Sequence, residues 1–169
     1  MVNKNLLLNV VTAITLALLL PSAVHAGEKE RINTLLNGFH KAAATGSYEN
    51  YFDRYTKDAV FLGTDKSERW LVNEFKVYAK PAFEKGGWRY EMVERHVMFD
   101  ESRTVAWFDE VLDNASFGKC RGTGVLIMSD GQWRVAHYSL TLLIPNNIAH
   151  AVGKQSILSD ADTDAKIGK

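Results

Sequence analysis

The chain has 169 residues, with 20 basic and 20 acidic side chains and no net formal charge. Apolar and aromatic residues make up 46% and charged residues 24%, which excludes a disordered chain or a low-complexity repeat. One cysteine excludes an intrachain disulfide framework, and the lack of a basic excess argues against nucleic acid as a partner.

Residues 1–26 read as a targeting segment. Lys4 supplies a positive start, Leu6 to Leu20 is almost wholly apolar, and Pro21-Ser22 breaks the run. Val24 and Ala26 then occupy the positions three and one before a cut. This is the pattern of a secretory signal peptide cleaved after Ala26. The apolar run is shorter than the about 20 residues that a bilayer span needs. The expectation is a periplasmic or secreted protein, free of the membrane after cleavage, with one domain over residues 27–153.

Glu28 to Ala44 has apolar residues at three- and four-residue spacing, from Ile32 to Ala43, and reads as an amphipathic helix. Gly46 ends it and Ser47 can cap a second helix, Tyr48 to Tyr55. Ala59 to Leu62 reads as a short strand. A third helix runs from about Val72 to Glu84, with Pro81 expected to kink it and Gly86-Gly87 to stop it. Four strand-like runs follow: Trp88–Phe99, Thr104–Ala115, Lys119–Ser129 and Trp133–Ile144. Asp130-Gly131 between the last two is a strong hairpin signal. Three helices and one strand before an antiparallel meander give an α+β fold, helices on one face of a curved sheet. Beyond Pro145 a last helical turn is expected near Asn146 to Gly153, and residues 154–169 read as a mobile tail.

Several stretches resemble a known group. Ala59-Val60-Phe61-Leu62-Gly63-Thr64-Asp65 with Glu68-Arg69-Trp70 is similar to the SnoaL-like branch of the nuclear transport factor 2-like (NTF2-like) superfamily. So are Ala106 to Glu110, Cys120 to Leu126 and Trp133 to Tyr138. The resemblance implies a cone-shaped fold with a pocket between helices and sheet, and dimerisation through the outer sheet face. It leaves the activity open, because the superfamily holds isomerases, dehydratases, cyclases, binding modules and assembly domains.

Two-residue turns at Glu101-Ser102, Ser116-Phe117 and Asp130-Gly131 would set the register. They place Glu94, His96, Trp107, Asp109, Gly122, Gly124, Leu126, Trp133, Val135 and His137 on one face. That face is expected to line the pocket, because Gly122 and Gly124 leave room above the sheet. Asp109 and His137 would then flank Gly124 as a proton-transfer pair. Trp70, Glu94, His96, Trp107, Gly122, Gly124 and Trp133 would contact the ligand. Glu110, Arg121 and Tyr138 fall on the other face as an ion-pair set, and exchange places with the first set if the faces are inverted. Glu94, His96, Asp109 and His137 are metal-ligand types, but no His-x-His or helix-borne pair accompanies them, so neither metal nor cofactor is expected. Three readings stay open: a binder of a small apolar molecule, a cofactor-free isomerase, cyclase or dehydratase, and a dimeric assembly domain.

Overall fold

The structure is a computed structural model and describes residues 27–167. Residues 1–26, whose sequence reads as a signal peptide, lie outside the described residues. The first helix, α1, spans 27–44. It buries Ile32, Leu36, Phe39, Ala42 and Ala43, the stripe that the spacing anticipates. Gly46 ends it at φ 63°, a left-handed conformation that glycine adopts without strain. The second helix, α2, is one turn, Tyr48–Phe52. Ser47 makes no side-chain cap there; its hydroxyl accepts from Asn50 Nδ2 instead. Strand β1, Tyr55–Leu62, begins where the sequence pattern anticipated the end of that helix. Strand β2, Arg69–Leu71, returns antiparallel to β1 and leads into α3, Val72–Glu84. The Leu71 amide donates to Glu74 Oε2 at 2.9 Å and fixes the start of α3.

The meander follows as β3, Glu91–Phe99, β4, Val105–Asn114, β5, Gly118–Ser129, and β6, Gln132–Leu142. The sheet order is β2-β1-β6-β5-β4-β3, with β1 parallel to β6 and every other neighbour antiparallel. The core lies between the helices and the inner sheet face and includes Phe39, Tyr51, Phe52, Phe75, Phe83, Phe108, Leu112, Leu126, Val135 and Tyr138. Its rings stack and cross, as with Phe61 on Phe75 at 4.0 Å and Phe39 on Tyr51 at 4.4 Å.

Two irregularities in β4–β6 decide which of the expected pocket side chains face inward. Ser129 pairs with Gln132 across Asp130 and Gly131, both at positive φ, as a two-residue hairpin requires. Leu126 pairs with Val135 as the turn dictates. One step further Val125 pairs with His137, because Ala136 is an extra residue in β6. This bulge moves Tyr138 opposite Gly124. The β4–β5 turn holds three residues, not two, so Asn114 pairs with Gly118 and Asp109 with Thr123. Each offset exchanges the two faces of everything beyond it.

The C-terminal segment differs from expectation. Residues Asn146–Ile167 form one helix, α4, where a single turn and a tail were anticipated. The stretch holds one glycine and no proline, so nothing in it breaks a helix. Lys66 pairs with Asp160 at 2.5 Å and ties α4 to the loop before β2. Among the described residues no helix is long and apolar enough to cross a membrane.

Candidate functional site

A cavity of about 250 Å³ opens between α3, the β1–β2 hairpin and the near end of the sheet. Phe61 on β1, Trp70 on β2, Phe75 and Tyr78 on α3, Trp88, Tyr90, Phe117 and Leu140 line it. Four of these rings form one stack. Phe61 lies on Phe75 at 4.0 Å and 12°, Phe75 on Trp70 at 5.6 Å and 18°, and Trp70 on Tyr78 at 4.2 Å and 27°. Glu68 is the one carboxylate in the lining. The Tyr78 hydroxyl donates to its Oε1 at 3.1 Å, and the Asp65 amide to its Oε2 at 3.2 Å. Burial and this carboxylate push the Tyr78 phenol up. A side chain at position 63 would collide with Glu68, so Gly63 is what lets the carboxylate fold over the hairpin.

Behind the cavity lies a polar cluster around Glu110, a charged side chain with no solvent exposure. Its Oε1 accepts from His40 Nε2 at 2.7 Å and from the Tyr138 hydroxyl at 2.9 Å. Its Oε2 accepts from Arg95 Nε at 2.7 Å. Arg95 Nη1 donates to Asn37 Oδ1 at 2.9 Å. Burial alone would push the Glu110 carboxyl up, but His40 and Arg95 outweigh it and hold the group below its usual range. The cluster joins α1, through Asn37 and His40, to β3, β4 and β6. A carboxylate held ionised by three donors is a weak proton acceptor, and its geometry suits cross-linking of helix to sheet. Tyr138 also stacks on Phe61 at 5.8 Å and 10°, which couples the cluster to the cavity wall.

The expected pocket face is divided by the two irregularities. Glu94, His96, Trp107, Asp109 and His137 do share a face, but it is the outer one, away from the helices. The physical cause is the three-residue β4–β5 turn, together with the Ala136 bulge for His137. Asp109 lies 3.3 Å from His96 and 3.4 Å from Arg121, and Glu94 lies 3.2 Å from the same histidine. Asp109 and His137 line a shallow depression with Met98, Trp107, Thr123 and Val125. Among the described residues no group of three or more His, Cys, Asp or Glu is placed to hold a metal ion.

Gly122, Gly124 and Trp133 do face the helices, yet they make no open space. The volume over Gly122 is taken by Tyr138 and Glu110, and that over Gly124 by Phe108. Trp133 is buried at the far end of β6, where its Nε1 donates to Glu28 Oε2 at 2.7 Å. Of the expected ligand contacts, Trp70 alone lines the aromatic cavity. The exchange of Glu110 and Tyr138 to the inner face follows the inverted alternative, but Arg121 stays outside. His40 and Arg95 join the cluster without a local sequence signal: one is a polar position on an amphipathic helix, the other one of several charges along β3.

The fold that carries this site has parallels. The SnoaL-like domain pattern matches residues 32–145. The chain belongs to the SnoaL-like domain family. No curated protein matches it in sequence. Among solved structures, a Nostoc punctiforme domain of unknown function with a cystatin-like fold superposes with a TM-score of 0.65 at 16% identity, over 83% of this chain and 97% of that one. An NTF2-like protein of unknown function from Pseudomonas putida gives 0.60 at 17% identity, over 72% and 90%. A provisionally named dehydratase of the NTF2-like family from Streptomyces avermitilis gives 0.59 at 10% identity, over 69% and 96%. At these identities the likeness is one of fold, and the SnoaL-like chain has the NTF2-like architecture.

Proposed function

We propose that this SnoaL-like protein binds a small, flat, apolar molecule in the aromatic cavity, without turnover. The observation that carries the reading is the continuous stack of Phe61, Phe75, Trp70 and Tyr78 beside a single carboxylate. Near-parallel rings favour another ring laid against them. A volume of about 250 Å³ suits one or two fused rings, since pockets for drug-sized ligands begin at about 300 Å³. The lining offers no activated nucleophile and no acid–base pair with contrasting surroundings, which is why binding is preferred to an isomerase, cyclase or dehydratase reaction. Proton transfer by Asp109 and His137 would take place on the outer face, away from this cavity.

Two further elements belong to the reading. The outer face, with Trp107 42% exposed beside Met98 and Val125, suits contact with a second copy of the chain. Secretion to the periplasm or beyond is supported by the pattern of residues 1–26. The test is native mass spectrometry of the protein purified from its own host. An organic adduct retained by the wild type and lost in Thr64→Trp, which fills the cavity mouth, supports the reading. An adduct retained equally by both proteins removes the ligand from the cavity.

A further inference from the structure

Trp88, Tyr90 and Phe117 line the aromatic cavity and also a neighbouring groove of about 690 Å³. The groove continues over Arg89, Glu91 and the β4–β5 turn from Asp113 to Ser116. Three shared side chains make the two spaces contiguous. Phe117 sits on the three-residue turn at that junction and is 52% exposed. Its position follows from the turn itself: Asn114 Oδ1 accepts from the Ser116 and Phe117 amides, each at 2.9 Å.

The groove's charges are already matched. Arg89 pairs with Glu91 at 2.9 Å, and Lys119 with Asp113 at 2.7 Å. Trp88, Tyr90, Ala115 and Phe117 supply the apolar part of its walls. Such a surface favours an aliphatic segment over a charged one. The junction has two unused polar groups, Trp88 Nε1 and the Tyr90 hydroxyl, neither with a hydrogen-bond partner among the described residues. Half-burial pushes the Tyr90 phenol up to about 12, so near neutral pH it is a donor.

We infer that the ligand is elongated, with a flat apolar head in the cavity, an oxygen at the junction that accepts from the Tyr90 hydroxyl, and an aliphatic chain in the groove past Phe117. The inference rests on the proposed binding function and names the class of molecule bound. Phe117 and Tyr90 thereby become specificity-determining residues for chain and oxygen respectively. The cavity alone is smaller than most ligand sites, whereas cavity and groove together reach the usual range.

The test is calorimetric titration of the protein with 2-naphthol, 2-propoxynaphthalene and 2-hexyloxynaphthalene, whose oxygen lies between ring and chain. Affinity should rise about threefold to fourfold for each methylene that the groove buries. Ala115→Glu sets a charge in the groove at an exposed position that is not part of the cavity lining. It should abolish the gain with chain length and leave 2-naphthol affinity unchanged. Tyr90→Phe should weaken all three compounds by a similar factor, about twofold to tenfold. Equal affinity along the series would overturn the inference while the binding function stands. So would a chain-length gain that survives in Ala115→Glu, or affinities for the three compounds that Tyr90→Phe leaves unchanged. Failure of 2-naphthol itself to bind would overturn the inference and the proposed function together.

Discussion

The Tyr138 hydroxyl donates to Glu110 Oε1 at 2.9 Å directly over Gly122, and a side chain at that glycine would meet both groups. This contact joins β4 to β6 across the intervening β5, inside the core. With His40 and Arg95 it completes the shell of a fully buried carboxylate. Removing one partner from such a set leaves a charge without compensation.

Glu110→Gln should therefore destabilise the fold by about 3–5 kcal/mol, because buried Arg95 loses its counter-charge and the new amide NH2 turns a donor toward a donor. Tyr138→Phe should have a smaller effect, about 1.5–3 kcal/mol, the usual range for a hydrogen bond to a charged group. Urea unfolding of the three proteins at neutral pH measures both differences.

The same carboxylate gives a pH dependence. Glu110 is held below its ordinary value of 4.5 in the folded protein, faced by His40 from α1, Arg95 from β3 and Tyr138 from β6. A depressed folded pKa contributes stability above the unfolded value, and this is lost as pH falls through the folded one. The stability gap between wild type and Glu110→Gln should be full above pH 4.5 and should narrow below it. Asp65 and Asp100 are also held low, by hydrogen bonds from Ser67 and Ser102, but they titrate alike in both proteins and cancel. A gap that is constant from neutral pH to the acid transition would contradict the assignment.

Gly122→Ala should destabilise by about 1–3 kcal/mol through overpacking against Tyr138 and Glu110. Circular dichroism melts would register the loss.

Trp107→Glu should convert a dimer into a monomer in sedimentation velocity, with little change in thermal stability of the subunit. The residue is exposed on the outer face and contributes nothing to the core. A wild type that sediments as a monomer at all concentrations would contradict the proposed pairing of copies.

The four meander strands, α1, α3 and the Asp130-Gly131 hairpin were legible because each carries a complete local signal, whether helical periodicity, alternation or a turn dipeptide, whereas the three-residue β2, Arg69–Leu71, is too short to carry one and was not anticipated. The face of the sheet was not, and two single residues account for that. Asn114 starts an Asx-type turn and Gly118 ends it at φ 68°, a signature of three loop residues that could have been read from Asn114 and Gly118 together. The Ala136 bulge has no comparable mark in the sequence, since alanine is neither turn-former nor glycine. A bulge is a response to packing on both sides of the sheet. The aromatic cavity was legible only at Trp70, because its other rings come from elements far apart in the chain. The cluster around Glu110 likewise needs His40 from α1 and Arg95 from β3, partners that only the tertiary fold brings together.

The measurement that tests the account most directly is calorimetric titration of 2-naphthol into the wild type, Trp70→Ala and Trp107→Ala. If the stacked cavity is the binding site, Trp70→Ala should lose about tenfold or more in affinity, since an aromatic pair and its buried area are removed together. Trp107→Ala, on the opposite face of the sheet, should bind as the wild type does. The reverse pattern, with affinity kept by Trp70→Ala and lost by Trp107→Ala, would move the site to the outer face and contradict the account.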